Sequence, residues 1–188
     1  MDKTKKTLIA VAVIAVLAGW TISQRNSLVT MDETVEAAWS EIDNQLQRRS
    51  DLIPNLVATV QGFATQERQV FADIANARAR LAGAGSVSET AAGYEELQGA
   101  LSRLLVVVEN YPQLQSNQNF LRLQDELAGT ENRIAVARTR YNDAVRRFNS
   151  RIRTFPSSMF ASRFGLEQRE YFEISDSARA VPQVQFGD

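Results

Sequence analysis

The sequence predicts an all-α protein: an N-terminal transmembrane helix followed by an antiparallel bundle of three to four long helices, the first kinked at Pro54. Three observations carry this. Apolar residues recur every seven positions over two long stretches, in paired rows three or four residues apart, which places them on one helical face. Glycine and proline number only 9 and 4 in 188 residues, and long stretches lack both, which disfavours a turn-rich β fold. Residues 7–22 are uncharged and mostly apolar.

The first six residues hold the only lysines, Lys3, Lys5 and Lys6. They read as a cytoplasmic N-terminal tip. The uncharged run then extends through residues 7–24, about 27 Å of helix, close to the minimum for a bilayer. Leu8, Ile14 and Leu17 are its apolar body, and Trp20 suits an interfacial position near its end. A cleaved secretory signal has the same basic start and short apolar run. Leu17-Ala18-Gly19 followed by Trp20 is a poor cleavage site, so an uncleaved signal anchor is expected.

A bundle domain is expected over 25–156, with helices at about 26–82, 87–110 and 117–155. In the first, one row runs Leu28, Val35, Ile42, Leu56, Phe63, Val70 and Ala77, and a second runs Trp39, Leu46, Ile53, Val60, Ile74 and Leu81. The rows keep phase across Pro54, so the proline reads as a kink rather than a boundary. Gly83-Ala84-Gly85 ends this helix. Ser86 and Glu89 have capping-box spacing for the next, which Asn110-Tyr111-Pro112 stops. Asn117 or Ser116 caps the third, whose row is Phe120, Leu127, Ile134, Tyr141, Phe148 and Phe155. Pro156 closes it. Such rows predict shallow left-handed crossings of coiled-coil type. Residues 157–188 lose the period; Met159, Phe160, Phe164, Tyr171, Phe172, Val181, Val184 and Phe186 read as a short helix and extended tail laid over the bundle.

Composition removes much chemistry. With no Cys and no His there is no thiol nucleophile, disulfide, Ser-His-Asp triad or Cys/His zinc site. Asp125, Glu126 and Glu131, with Glu95, Glu96 and Glu109, are carboxylates on bundle helices, but di-metal bundles also use a Glu-x-x-His motif that is absent here. No catalytic residue, cofactor or metal site is therefore expected. The net charge of −1 gives no basic footprint for nucleic acid.

Two places stand out. Arg48, Arg49, Asp51 and Asn55 surround Pro54, and Arg49 falls where the stripe calls for an apolar residue. A buried guanidinium needs a counter-charge. Asp51, two residues away, does not share its face, so a carboxylate on the second or third helix is the expected partner, in the same chain or a neighbouring one. The second place is the end of the third helix. Arg138, Arg140, Arg146, Arg147, Arg151 and Arg153 are opposed nearby only by Asp143. They read as favourable charges near a helix C-terminus, or as a patch for anionic lipid or an acidic partner.

Several strings resemble the LemA family: Leu28-Val29-Thr30, Val35-Glu36-Ala37-Ala38-Trp39-Ser40, residues 42–57 through Leu52-Ile53-Pro54-Asn55-Leu56-Val57, residues 104–112, 119–127 and 129–138, and Tyr171-Phe172. The resemblance covers essentially the whole chain. It implies a bacterial membrane protein with an N-terminal span and a mostly helical domain, and it implies little about mechanism. It also implies a short N-terminus outside the cell, the reverse of the lysine reading. On that reading the chain is single-pass in the bacterial inner membrane with its bundle on the outer, periplasmic face. The expected function is a non-catalytic, self-assembling scaffold or adaptor at the cell envelope. The alternative is a regulator of a membrane protease, sensor kinase or envelope stress or remodelling system. Expected partners are the lipid bilayer, further copies of the chain and another envelope membrane protein.

Overall fold

A computed structural model describes residues 3–174. Among them there are six helices and no strand: α1 (Lys3–Gln61), α2 (Arg68–Ala82), α3 (Val87–Val108), α4 (Pro112–Gln115), α5 (Gln118–Arg153) and α6 (Ser157–Arg163). The chain divides into two compact units. One comprises the chain up to Glu41 with Thr139–Arg169; the other comprises Ile42–Arg138 with the chain from Glu170.

In the first unit the apolar row of α1 meets that of α5. Leu28 and Val35 are buried, as are Tyr141, Ala144, Val145, Phe148 and Ile152. The helices are antiparallel: Gln24 bonds Arg151, and Glu41 lies 3.2 Å from Arg140. Trp39 packs against Tyr141 with ring centroids 5.3 Å apart. After α6 the chain is held by buried Asn149, whose amide nitrogen donates to the Arg169 carbonyl at 2.8 Å while its oxygen accepts from the Arg169 N–H at 2.9 Å. Arg169 also pairs with Asp32 at 2.9 Å.

In the second unit α1 continues unbroken through Pro54, which leaves the Ser50 carbonyl without its helical donor. Ile42 and Leu46 before the proline are buried, and so are Leu56 and Val60 after it. The expected single helix over 26–82 is not what forms. The helix ends at Gln61, and Gly62–Glu67 make a turn in which the Phe63 and Ala64 N–H groups both bond the Val60 carbonyl. Helix α2 then doubles back along α1. Arg78 Nε donates to Ser50 Oγ at 2.9 Å, whereas residues 28 apart in one straight helix would be about 42 Å apart. Phe63, expected in the stripe, is consequently exposed, and Ala64 is buried.

The α2–α3 hairpin follows the expected signals. Glu89 N–H donates to Ser86 Oγ at 3.1 Å, and Glu89 Oε2 accepts from the Gly85 N–H at 2.7 Å, so the box reaches one residue further back than the standard pattern. Arg80–Glu96 and Arg103–Asp73 pairs form an antiparallel ladder. Pro112, read as a stop, also opens the short α4, because a proline at the first helical position forfeits no bond. Asn117 Oδ1 caps α5 through the N–H groups of Asn119 and Phe120.

The α5 row is buried from Phe120 through Phe148, but Phe155 lies beyond the helix end at Arg153 and is 76% exposed. The tail is likewise only partly laid down. Phe172 is buried against Tyr94, while Met159, Phe164 and Tyr171 remain exposed. Val181, Val184 and Phe186 lie outside the described residues.

Candidate functional site

The stripe of α1 delivers Arg49 into the interior of the second unit, and the helices around it supply what it needs. Arg49 is 5% exposed. Its Nη2 donates to Gln98 Oε1 on α3 at 2.6 Å, and its Nη1 donates to the Leu127 carbonyl on α5 at 3.2 Å. The same Nη1 stands 2.8 Å from Glu131 Oε2. That contact is an ion pair by distance, without hydrogen-bond alignment. Among the described residues Glu131 Oε2 and Arg49 Nε complete no hydrogen bond, and Gln45 Oε1, one turn earlier on α1, completes none either.

Tyr94 on α3 joins the cluster from the other side. Its hydroxyl donates to Glu131 Oε1 at 2.6 Å, and the Arg49 guanidinium lies 5.9 Å from its ring centroid. The Phe172 ring, 6.3 Å away, covers it. The carboxylate expected from the second or third helix is thus Glu131 on α5, in the same chain.

Burial pushes the Tyr94 phenol well above its usual value of 10.0, and the hydrogen bond and negative charge of Glu131 push it further; Arg49 and Arg138 oppose this. A raised folded-state pKa means that the unfolded chain ionises first as pH climbs. The contribution to stability is fully present below pH 10 and is lost above it. Denaturant midpoints measured between neutrality and strongly alkaline pH should fall above pH 10, and Tyr94→Phe should remove part of that fall.

The remaining residues singled out around Pro54 do not converge on Arg49. Arg48, Asp51, Pro54 and Asn55 are exposed. Asp51 accepts from Gln47 Nε2 at 3.1 Å on its own helix face. Asn55 lines an open groove with Ala58, Thr59, Asn119, Arg122 and Leu123. The participants missed by sequence reasoning are Tyr94 and Gln98, since a tyrosine on an apolar row looks like core and a glutamine like surface.

The α5 arginines are divided. Arg140 pairs with Glu41, Arg146 with Asp143, and Arg151 bonds Gln24, so Asp143 is not their only opposing acid. Arg147 Nε bonds the Asp143 carbonyl, and Arg153 is exposed. Among the described residues no three carboxylates gather where a metal ion could be held. Glu131 goes to Arg49 and Tyr94, and Glu96 goes to Arg80.

At the N-terminus, α1 is long and apolar enough to cross a membrane, and none of its most apolar window is buried among the described residues. Leu8, Ile14 and Leu17 are exposed, and Trp20 is partly covered. Transferring such a surface out of water is what a bilayer span accomplishes.

The model of the LemA family matches residues 38–186. The chain is 29% identical to magnetosome protein MamQ 2 of Paramagnetospirillum magneticum over 208 aligned positions, covering 94% of this chain and 76% of the relative. It is 27% identical to MamQ of Magnetospirillum gryphiswaldense with the same coverage. Protein LemA of Metamycoplasma hominis is 24% identical, over 84% of this chain and 73% of its own length.

Proposed function

Because the chain belongs to the LemA family, and is membrane-associated through its N-terminal helix, we propose that it is a single-pass, non-catalytic scaffold or adaptor of the bacterial inner membrane. One observation carries this reading: the exposed apolar segment and the start of the bundle are a single helix, α1, with no loop between them. A span joined in this way transmits its position to the folded domain directly. The cluster at Arg49 supports a structural role, because Arg49 is buried and joins Gln98 and Glu131, which Tyr94 also bonds, across three helices. The relatives named as magnetosome proteins bear names that state a cellular structure rather than a reaction. The lysines before the span favour a cytoplasmic N-terminus, with the bundle on the outer face.

The scaffold assembles with copies of itself. The apolar flank of the span around Leu8, Ile14 and Leu17 is the surface for this, and Trp20 is partly engaged by Phe160 of its own chain. A second reading, regulation of another envelope membrane protein such as a protease or sensor kinase, draws support from the open groove beside Pro54 with its Asn55, Asn119 and Arg122 side chains. One experiment separates the two. Native membranes are solubilised in mild detergent, and the particle is sized by light scattering at several concentrations, with its components identified. A homo-oligomer is the expected result. A monomer at every concentration overturns the scaffold reading, and a stoichiometric second membrane protein favours the regulator.

A further inference from the structure

Helix α6 is short, but its placement is specific. It packs on the part of α1 where the uncharged run gives way to Arg25. Trp20 meets Phe160 edge-to-face at 5.4 Å, and Phe160 stacks with Phe164 at 6.4 Å. The Arg25 guanidinium sits over the Phe164 ring at 5.7 Å. Gln24 Oε1 accepts from Arg151 Nη2 at 2.9 Å and from Ser157 Oγ at 3.4 Å. Ser157 and Ala161 form the buried side of α6.

The link before α6 and the exposed part of the helix carry the opposite character. Phe155 is 76% exposed and Met159, four residues on, is 66% exposed. Arg153 and Arg163 flank them, also exposed. No acidic residue occurs in 20–31 or in 144–166, the stretches that meet here. Exposed large apolar side chains beside cations that form no ion pair among the described residues are poorly suited to water and well suited to the headgroup region of a bilayer. There the apolar groups reach the acyl boundary and the guanidinium groups stay among phosphates.

We propose that Phe155, Met159 and the arginines around them form a collar that seats in the membrane interface beside the exit of α1, contacting anionic phospholipid headgroups. This rests on residues 7–24 being a membrane span. The charge complementarity and the continuity with the span select lipid over a protein partner. The collar gives the chain a second membrane contact far along the sequence from the first, and so fixes the orientation of the first unit on the bilayer surface.

The chain has no cysteine, so a single spin label can be placed by Met159→Cys in the full-length protein. Val136→Cys, exposed on α5, is the aqueous reference. Both are reconstituted in nanodiscs of phosphatidylcholine with or without phosphatidylglycerol, and accessibility to oxygen and to a water-soluble nickel chelate is compared. The expected result is a several-fold higher oxygen-to-nickel ratio at 159 than at 136, greater with phosphatidylglycerol. Replacing Arg153 and Arg163 with glutamine should lower the preference for the seated position about fivefold per charge in the anionic discs.

Aqueous exposure at 159 in both lipids overturns the proposal. Equal burial in both lipids overturns the role of the arginines. Dipolar broadening between labels, with oxygen excluded, shows a second copy covering the surface instead and also overturns it. Alkaline extraction of membranes is run in parallel. A chain that stays in the membrane pellet while its label remains aqueous refutes the collar alone, and a chain that is released refutes the span.

Discussion

Replacing Glu131 with glutamine should destabilise the fold by about 3 kcal/mol, more than replacing Arg49 with methionine, although Arg49 is the more buried of the two. The asymmetry follows from where each leaves the other. Arg49 has a side chain 6% exposed, and without Glu131 it remains an interior cation with only the neutral oxygens of Gln98 and Leu127 around it. Glu131 has a side chain 36% exposed and keeps the Tyr94 hydroxyl on Oε1, and its buried Oε2 is shielded by the guanidinium, so a shorter neutral side chain at 49 opens Oε2 to water. Methionine approximates the volume of the arginine stem, and the remaining loss is the donor to Gln98 and to the Leu127 carbonyl, about 1 kcal/mol. The double variant should cost about as much as Arg49→Met alone, giving a coupling energy of about 2–3 kcal/mol. Urea unfolding of the four proteins in one detergent measures all of these quantities. If Arg49→Met costs more than Glu131→Gln, the two guanidinium bonds to the neutral oxygens of Gln98 and Leu127, not the ion pair, dominate the cluster.

Gly93 should tolerate no branched side chain. A Cβ built there would stand 3.0 Å from Leu81 Cα and 3.2 Å from Leu81 N, so the obstacle is the backbone of α2 and not a side chain that can turn away. Alanine gains about 1 kcal/mol of helix propensity against an overpacking cost of about 1–3 kcal/mol, and the net effect is a modest loss. Valine adds two further methyl groups at the same point and loses rotamer freedom in a helix. It should cost about 3 kcal/mol by separating α2 from α3. Gly129, with nothing within 4 Å of a built Cβ, is the control: Gly129→Ala should be neutral or stabilising by about 1 kcal/mol. Thermal unfolding followed by helical circular dichroism distinguishes the three. An unchanged midpoint for Gly93→Val would mean that the close approach of the two helices is not needed for stability.

Much of this architecture is set by neighbours in sequence. The rows through Leu28, Val35 and Ile42 and through Phe120, Ile134 and Phe148 are buried because residues three, four and seven apart share a helical face regardless of what covers it. Ser86 with Glu89, and Asn117, act where expected because capping joins groups two to four residues apart. The apolar run before Arg25 is a property of composition alone.

The tertiary structure decided what local spacing cannot express. The turn at Gly62–Glu67 takes up six residues, nearly one heptad, so Ile74 and Ala77 stay in phase and the count shows no interruption. The bond from Arg78 to Ser50 shows that α2 has reversed direction. The sequence by itself marked Arg49 as out of place on an apolar row and required a carboxylate for it, because a buried charge must be met. It could not choose Glu131, or add Tyr94 and Gln98, because these meet Arg49 across separations of 45 to 82 residues, where contacts depend on how helices pack and not on helical period.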